Sequence, residues 1–172
     1  MSIFFLAAAL LSGQPAPNSN PLEPAASGML QCHQPDTVRR TCRSLAAYRK
    51  RADESFDNTA IVMLSPSPLL VMETVTPVRV VSGAVCGTIR KQDIDVAVIS
   101  VGGNRLGEDQ VAPIRAKIAI AMSGLIDHPI CTTYVTDGAM LTAKVTIDGV
   151  ASPAMDQKLI WVAPTDGYKV AP

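Results

Sequence analysis

Aromatic side chains are scarce in this chain: one Trp, three Tyr and three Phe, with Phe4 and Phe5 inside an amino-terminal apolar stretch. Surfaces that bind sugars or single-stranded nucleic acid use aromatic platforms, and little is left here to build one. An excess charge of either sign is absent too. Fifteen Lys and Arg against fifteen Asp and Glu leave a formal net charge of zero, which argues against nucleic acid or another strongly charged polymer as partner. Metal and redox signatures are missing. The four cysteines show neither zinc-type spacing nor a C-x-x-C pair, and only two histidines accompany them. No metal and no cofactor is therefore expected. Gly102-Gly-Asn-Arg-Leu-Gly107 lacks the spacing of a dinucleotide loop and the Lys-Ser/Thr of a P-loop. The serine motifs G-x-S-x-G and S-x-x-K are absent as well.

What is present begins with a targeting signal. Ile3–Leu11 is nine apolar residues, the length of a signal-peptide core and too short to cross a bilayer. Ser12 and Gly13 follow as small residues, but a cut after Gly13 or after Ala16 leaves no clean A-x-A pattern. The first basic side chain is Arg39, so only the amino terminus supplies positive charge to this signal. Residues 1–13 are expected to be removed on export to the periplasm or beyond, with no transmembrane segment after processing. Residues 14–28, with four prolines, read as an extended leader. Residues 29–172 then form one domain of about 145 residues, able to bury about 68% of its unfolded surface.

An exported chain keeps its cysteines oxidised. Cys32, Cys42, Cys86 and Cys131 permit three pairings, and proximity favours Cys32–Cys42 with Cys86–Cys131. Loop-closure entropy makes these worth about 2.8 and about 4 kcal/mol respectively.

Arg43–Arg51 reads as a short helix with Leu45, Ala46 and Tyr48 inward and Thr41 as cap. Six of the fifteen basic residues (Arg39, Arg40, Arg43, Arg49, Lys50 and Arg51) fall in this region without an acid among them. They form either a patch for an anionic surface or a solvated face balanced by Asp53, Glu54 and Asp57. Short strands are expected over 59–64, 69–75, 78–82 and 84–89, with Pro77 at a strand start or edge. A further apolar run, Val96–Val101, ends in a Gly102-Gly103-Asn104 turn. Glu108–Asp127 is the one long helix: Val111, Ile114, Ile118, Met122 and Leu125 make its stripe, and Pro113 suits a first turn beginning near Ala112. Its wide apolar surface is covered within the monomer or, in a homodimer, by a second copy; burial within the monomer is favoured.

In 131–147, Leu141, Ala143, Val145 and Ile147 alternate with polar residues and mark an inward face. A half-buried Cys131 requires a three-residue loop, Thr136-Asp137-Gly138, that sets Cys131 opposite Ala143. Lys158–Ala163, carrying Trp161, is the last strand. Strands, one long helix, then a hairpin predict an α+β domain: an antiparallel sheet with the helix over 108–127 packed on one face.

Two constellations could carry chemistry. His128, in Asp127-His-Pro129, is a general base if a carboxylate orients it, or a cation at a helix end. Asp93 and Asp95 would share a face on a strand, as paired carboxylates do in calcium sites and glycosidases, or form a polar turn. His33, inside the small cysteine loop, is a weaker candidate. The stretches Cys32-His-Gln-Pro-Asp, Thr41-Cys42, Ala84-Val-Cys-Gly87, Ile130-Cys-Thr-Thr-Tyr134, Trp161-Val-Ala-Pro164 and Gly167-Tyr-Lys-Val170 resemble small exported proteins of alphaproteobacteria. That resemblance covers most of 28–172 and implies a periplasmic or secreted bacterial domain, with no activity or residue role to carry over. The leading expectation is a non-catalytic exported domain that binds a protein or a cell-envelope component. The alternatives are a small hydrolase using His128 or Asp93 and Asp95, and an enzyme inhibitor presenting the loop pinned by Cys32–Cys42.

Overall fold

The computed structural model describes residues 20–172. The expected signal peptide (1–13) and the first part of the leader (14–19) lie outside the described residues. Strand dominates: β1 (Leu30–His33), β2 (Thr41–Cys42), β3 (Ser44–Lys50), β4 (Phe56–Pro66), β5 (Leu69–Val81), β6 (Ala84–Thr88), β7 (Val98–Val101), β8 (Asn104–Arg105), β9 (Pro129–Asp137), β10 (Met140–Ile147), β11 (Val150–Ala151), β12 (Gln157–Val162) and β13 (Lys169–Val170). Among the described residues the α-helices are α1 (Lys91–Asp95) and α2 (Glu108–Ala121).

Eight strands close into a barrel. Each of β1, β3, β4, β5, β6, β9, β10 and β12 pairs antiparallel with the next, and β12 returns to β1. Their order around the barrel is their order in the chain, so this is an up-and-down barrel without sheet edges. The expected α+β domain, an antiparallel sheet with one long helix packed on its face, is thereby overturned. Interior positions alternate with outward ones, and the outward set includes Arg49, Glu73, Arg79, Lys144 and Lys158, all exposed. That is a water-facing wall; a lipid-facing barrel carries an apolar band there. No helix among the described residues is long and apolar enough to cross a membrane.

One end of the barrel is plugged. Leu22, 1% exposed, packs with Phe56, Val78 and Val85, and Tyr48, Val80, Tyr134 and Trp161 gather around them. Its N–H donates to the Asn20 side chain (3.0 Å), and a 3₁₀ turn over Glu23–Ser27 leads the chain back to β1. Residues 20–28, expected as leader, therefore belong to the domain.

At the far end the β4–β5 hairpin runs on, and β7 and β8 extend it from β5. Here α2 covers Met72, Ala97 and Ile99 with Val111, Ile114 and Ile118. The helix has 14 residues and ends at Ala121, not at Asp127. It starts at Glu108, where the Gln110 side chain accepts the Gly107 N–H (3.4 Å), so Pro113 lies inside it. It covers a local strand extension rather than one face of an open sheet, and Ile120 on its outer side is 75% exposed.

Three local expectations change with the fold. The stretch 43–51 is strand β3, not helix. Both of its faces are covered: Ala46 and Tyr48 point inward, while Leu45 is buried outside with Cys32, Cys42 and Val162 beneath Tyr168 and Val170 of the C-terminal tail. Double burial hides the period of two. The 131–147 hairpin has an even loop, Gly138-Ala139, with Asp137 opposite Met140 and Cys131 opposite Thr146. Gly138 has φ 63, as the first central position of a type II′ turn requires, so Gly leads the turn and Asp137 ends the strand. The inward face is still Leu141, Ala143 and Val145. Finally, Pro77 sits inside β5. It falls after the stretch paired with β7 (Leu70–Glu73) and before the stretch paired with β6 (Val78–Val81), where that edge needs no N–H.

The disulfides are Cys32–Cys42 (Cα–Cα 5.4 Å) and Cys86–Cys131 (4.1 Å), the pairs that proximity favours. Cys86 faces Cys131 directly across β6 and β9, on the barrel's outer side. The half-buried inner position reasoned for Cys131 is not the one it takes.

Candidate functional site: a cavity inside the barrel

The barrel interior holds a cavity of about 310 Å³. Three layers of side chains from β3, β4 and β5 explain it. Nearest the plug stand Tyr48, Asn58 and Thr76; next come Ala46, Ala60 and Thr74; at the far end are Ser44, Val62 and Met72. An eight-stranded barrel is just wide enough for side chains to fill or for one small ligand. The middle layer supplies two methyl groups and a threonine, too little to fill it, and Gly87 contributes no side chain from β6. Ile94 of α1 and Met122, just past α2, line the far end. Two further concavities lie outside the barrel lumen, one at the plugged rim beside Lys50 and Glu54, one along the outer wall by Arg79 and Cys86.

The polar groups inside are few and specific. Gln31 is fully buried, and its Oε1 accepts the hydroxyls of Tyr48 (2.9 Å) and Tyr134 (3.4 Å). Burial pushes both phenols above their ordinary pKa, so they remain neutral donors. The amide nitrogen of Gln31 and the amide oxygen of Asn58 are buried without a hydrogen-bond partner. Two such atoms in one barrel are costly unless something fills the lumen. His33 also lines the cavity; burial lowers its pKa to about 4, against a smaller raising effect of its hydrogen bond with Gln157. It is neutral at pH 7.

Asp93 is the one carboxylate on the lining. It is 4% exposed, and its oxygens accept the Arg90 backbone N–H (3.0 Å), Nε (3.1 Å) and a terminal guanidinium nitrogen (2.6 Å). The Thr74 hydroxyl donates to its carbonyl (3.2 Å), tying α1 to β5. Asp95 points elsewhere: it is exposed and bonds Lys91. Residues 91–95 are helical rather than extended, so the two carboxylates do not share a face.

His128 is exposed and bonded through Nδ1 to Asp148 (2.6 Å). Its orienting carboxylate is thus Asp148 rather than Asp127, and His128 lines none of the three concavities. The basic run is divided. Arg39, Arg40 and Arg43 precede β3 and Arg49, Lys50 and Arg51 end it, about 20 Å apart along the strand. Arg39 pairs with Asp36, Lys50 with Glu54, and Arg49 and Arg51 share buried Asp57 (both 2.8 Å). Among the described residues no group of three His, Cys, Asp or Glu is placed to hold a metal ion.

Asn58 and Ala60 carry the site, with Gln31 behind them accepting the Tyr48 and Tyr134 hydroxyls, and sequence reasoning missed all three. Asn58 shares parity with Phe56, Ala60 and Val62; a strand start set at Phe56 instead of Thr59 would have turned it inward. Comparison with family models, curated proteins and solved structures finds no match for this chain.

Proposed function

We propose that the chain is an exported, non-catalytic binding protein that holds one small molecule inside its barrel. The observation that carries this reading is the cavity at Ala46 and Ala60, bordered by the unpartnered amide oxygen of Asn58. Pockets of a few hundred Å³ with apolar walls and a few placed polar groups are the common form of a small-molecule site. Catalysis has less support, because His128 and Asp95 stand outside the lumen and Asp93 is held by Arg90. The two disulfides and the resemblance to exported bacterial domains support a periplasmic or secreted setting. To test the reading, fractions of a small-molecule extract from envelope and medium are screened for a rise in Tm. A fraction that stabilises the wild type but not Ala60→Leu, whose side chain fills the cavity, is the expected result. Equal effects on both proteins, or none on either, would remove the proposal.

A protein-binding or inhibitory role keeps one specific support. Asp36 Oδ1 accepts the N–H groups of Val38 (3.0 Å) and Arg39 (2.8 Å), fixing a tight loop inside the Cys32–Cys42 ring with Val38 92% exposed at its tip. Under this second reading Val38 is an anchor for a pocket on a protein partner. Val38→Asp is expected to abolish pull-down of that partner from envelope extract; an unchanged set of captured proteins ends the reading.

A further inference from the structure

We infer that the cavity takes an uncharged amphiphile of about ten heavy atoms, its hydrogen-bonding end against Asn58 and Thr76 and its apolar end toward Met72 and Met122. This rests on the small-molecule reading above and adds the ligand's chemistry to it. Size follows from the volume, since about 310 Å³ is close to ten water-sized groups at liquid density.

Charge follows from the walls. No Lys, Arg or Glu lines the cavity, and the two ionisable groups other than tyrosine are His33 and Asp93. His33 is half-buried and neutral at pH 7. Asp93 already receives three N–H groups from Arg90, two of them on Oδ2 and one on Oδ1. A carboxylate ligand would have to draw the Arg90 side chain inward and strand Asp93, and an ammonium ligand would have to displace Arg90 from it. A buried ion without a partner is disfavoured, whichever group is left with the charge. An uncharged ligand disturbs neither.

Orientation follows from the layers. Nearest the plug the wall carries Asn58, Thr76 and Tyr48 beside Val78 and Val85; the far end carries Val62, Met72, Ile94 and Met122 beside Ser44, His33 and Asp93. His33 already bonds Gln157 and Asp93 already bonds Arg90, whereas the Asn58 amide oxygen has no partner and so marks the place for the ligand's polar group. Leu22 closes the Asn58 end. The polar group of the ligand therefore lies deep and its apolar part lies beneath α1. Alcohols, phenols and primary amides of this size, each with a donor for the Asn58 amide oxygen, meet the description.

Octanol, octanoate and octylammonium make a matched series, titrated into the mature protein at pH 7 by calorimetry and by fluorescence of Trp161. This is the only tryptophan, and its ring lies 6.4 Å from that of Tyr48 on the cavity wall. Octanol is expected to bind at least about tenfold more tightly than either ion, the effect of one uncompensated polar burial. Asn58→Ala is expected to weaken octanol by a similar factor, and Thr76→Val provides the same reading if Asn58→Ala does not fold. Either ion binding as tightly as octanol would overturn the ligand class while leaving the cavity as a binding site. Undiminished octanol binding in both variants would overturn the orientation. Failure of all three probes to bind would remove the small-molecule reading itself.

Discussion

His33 shows how one half-buried side chain couples the barrel to pH. Its pKa stands at about 4 in the fold against 6.5 in the unfolded chain, because the interior disfavours the imidazolium. Between those values the unfolded chain binds more protons, so stability is complete above pH 6.5 and falls as pH drops through 4. A displacement of that size corresponds to roughly 3 kcal/mol. Urea melts of wild type and His33→Gln between pH 7 and 4 are expected to show this loss in the wild type and a flatter profile in the variant. Parallel profiles would mean that His33 is hydrated in the fold. Gln31 acts differently, as the acceptor for two tyrosine hydroxyls. Gln31→Leu leaves both without that partner and is expected to cost about 1–3 kcal/mol in equilibrium unfolding. Ala60→Leu has the opposite sign: filling unoccupied space is expected to raise stability by about 1 kcal/mol while removing ligand response. A stabilised variant that still binds would place the ligand elsewhere.

At the scale of elements, much was legible from composition and turn residues. The strands near 59–64, 69–75 and 84–89 follow from runs of Val, Ile, Thr and Leu broken by Pro, Ser and Gly, and the inward side of 141–147 follows from a period of two. What failed had physical causes that one segment cannot display. β3 looked helical because the C-terminal tail buries its outer face, so Leu45 and Ala46 are both hidden. The hairpin register differs because the loop is Gly138-Ala139 and not Thr136-Asp137-Gly138: the odd loop answered a need for an inward Cys131, and Cys131 instead faces outward opposite Thr146. The long helix was overrun past Ala121, since Met122 continues its stripe but serves the barrel lumen instead. The 3₁₀ turn that carries Leu22 was obscured by its prolines. Its importance is testable: Leu22→Ala removes the plug's main side chain and is expected to cost about 2–5 kcal/mol by denaturant titration. A change below about 0.5 kcal/mol would show that the plug is not part of the core.

At the scale of the whole molecule, closure was the hidden property. The contacts that turn a meander into a barrel join β1 to β12, residues near the two ends of the domain, and no local pattern reports such a pairing. The sequence displayed short strands and one amphipathic helix, which fit an open sheet with a helix across it equally well. Once closed, the same alternation acquires an inside, and Asn58 and Ala60 change from unremarked strand residues into the walls of a chamber. The site was unreadable for the same reason: its residues come from different strands and share no motif. The cysteines were legible because proximity in the chain is a good guide for Cys32–Cys42, which leaves one partner for Cys86. The most direct measurement of the central claim is calorimetric titration of octanol into the wild type and into Ala60→Leu under one set of conditions. Saturable, one-to-one heat in the wild type and none in the variant is the predicted result. Identical heats in the two proteins would place binding outside the barrel and contradict the account.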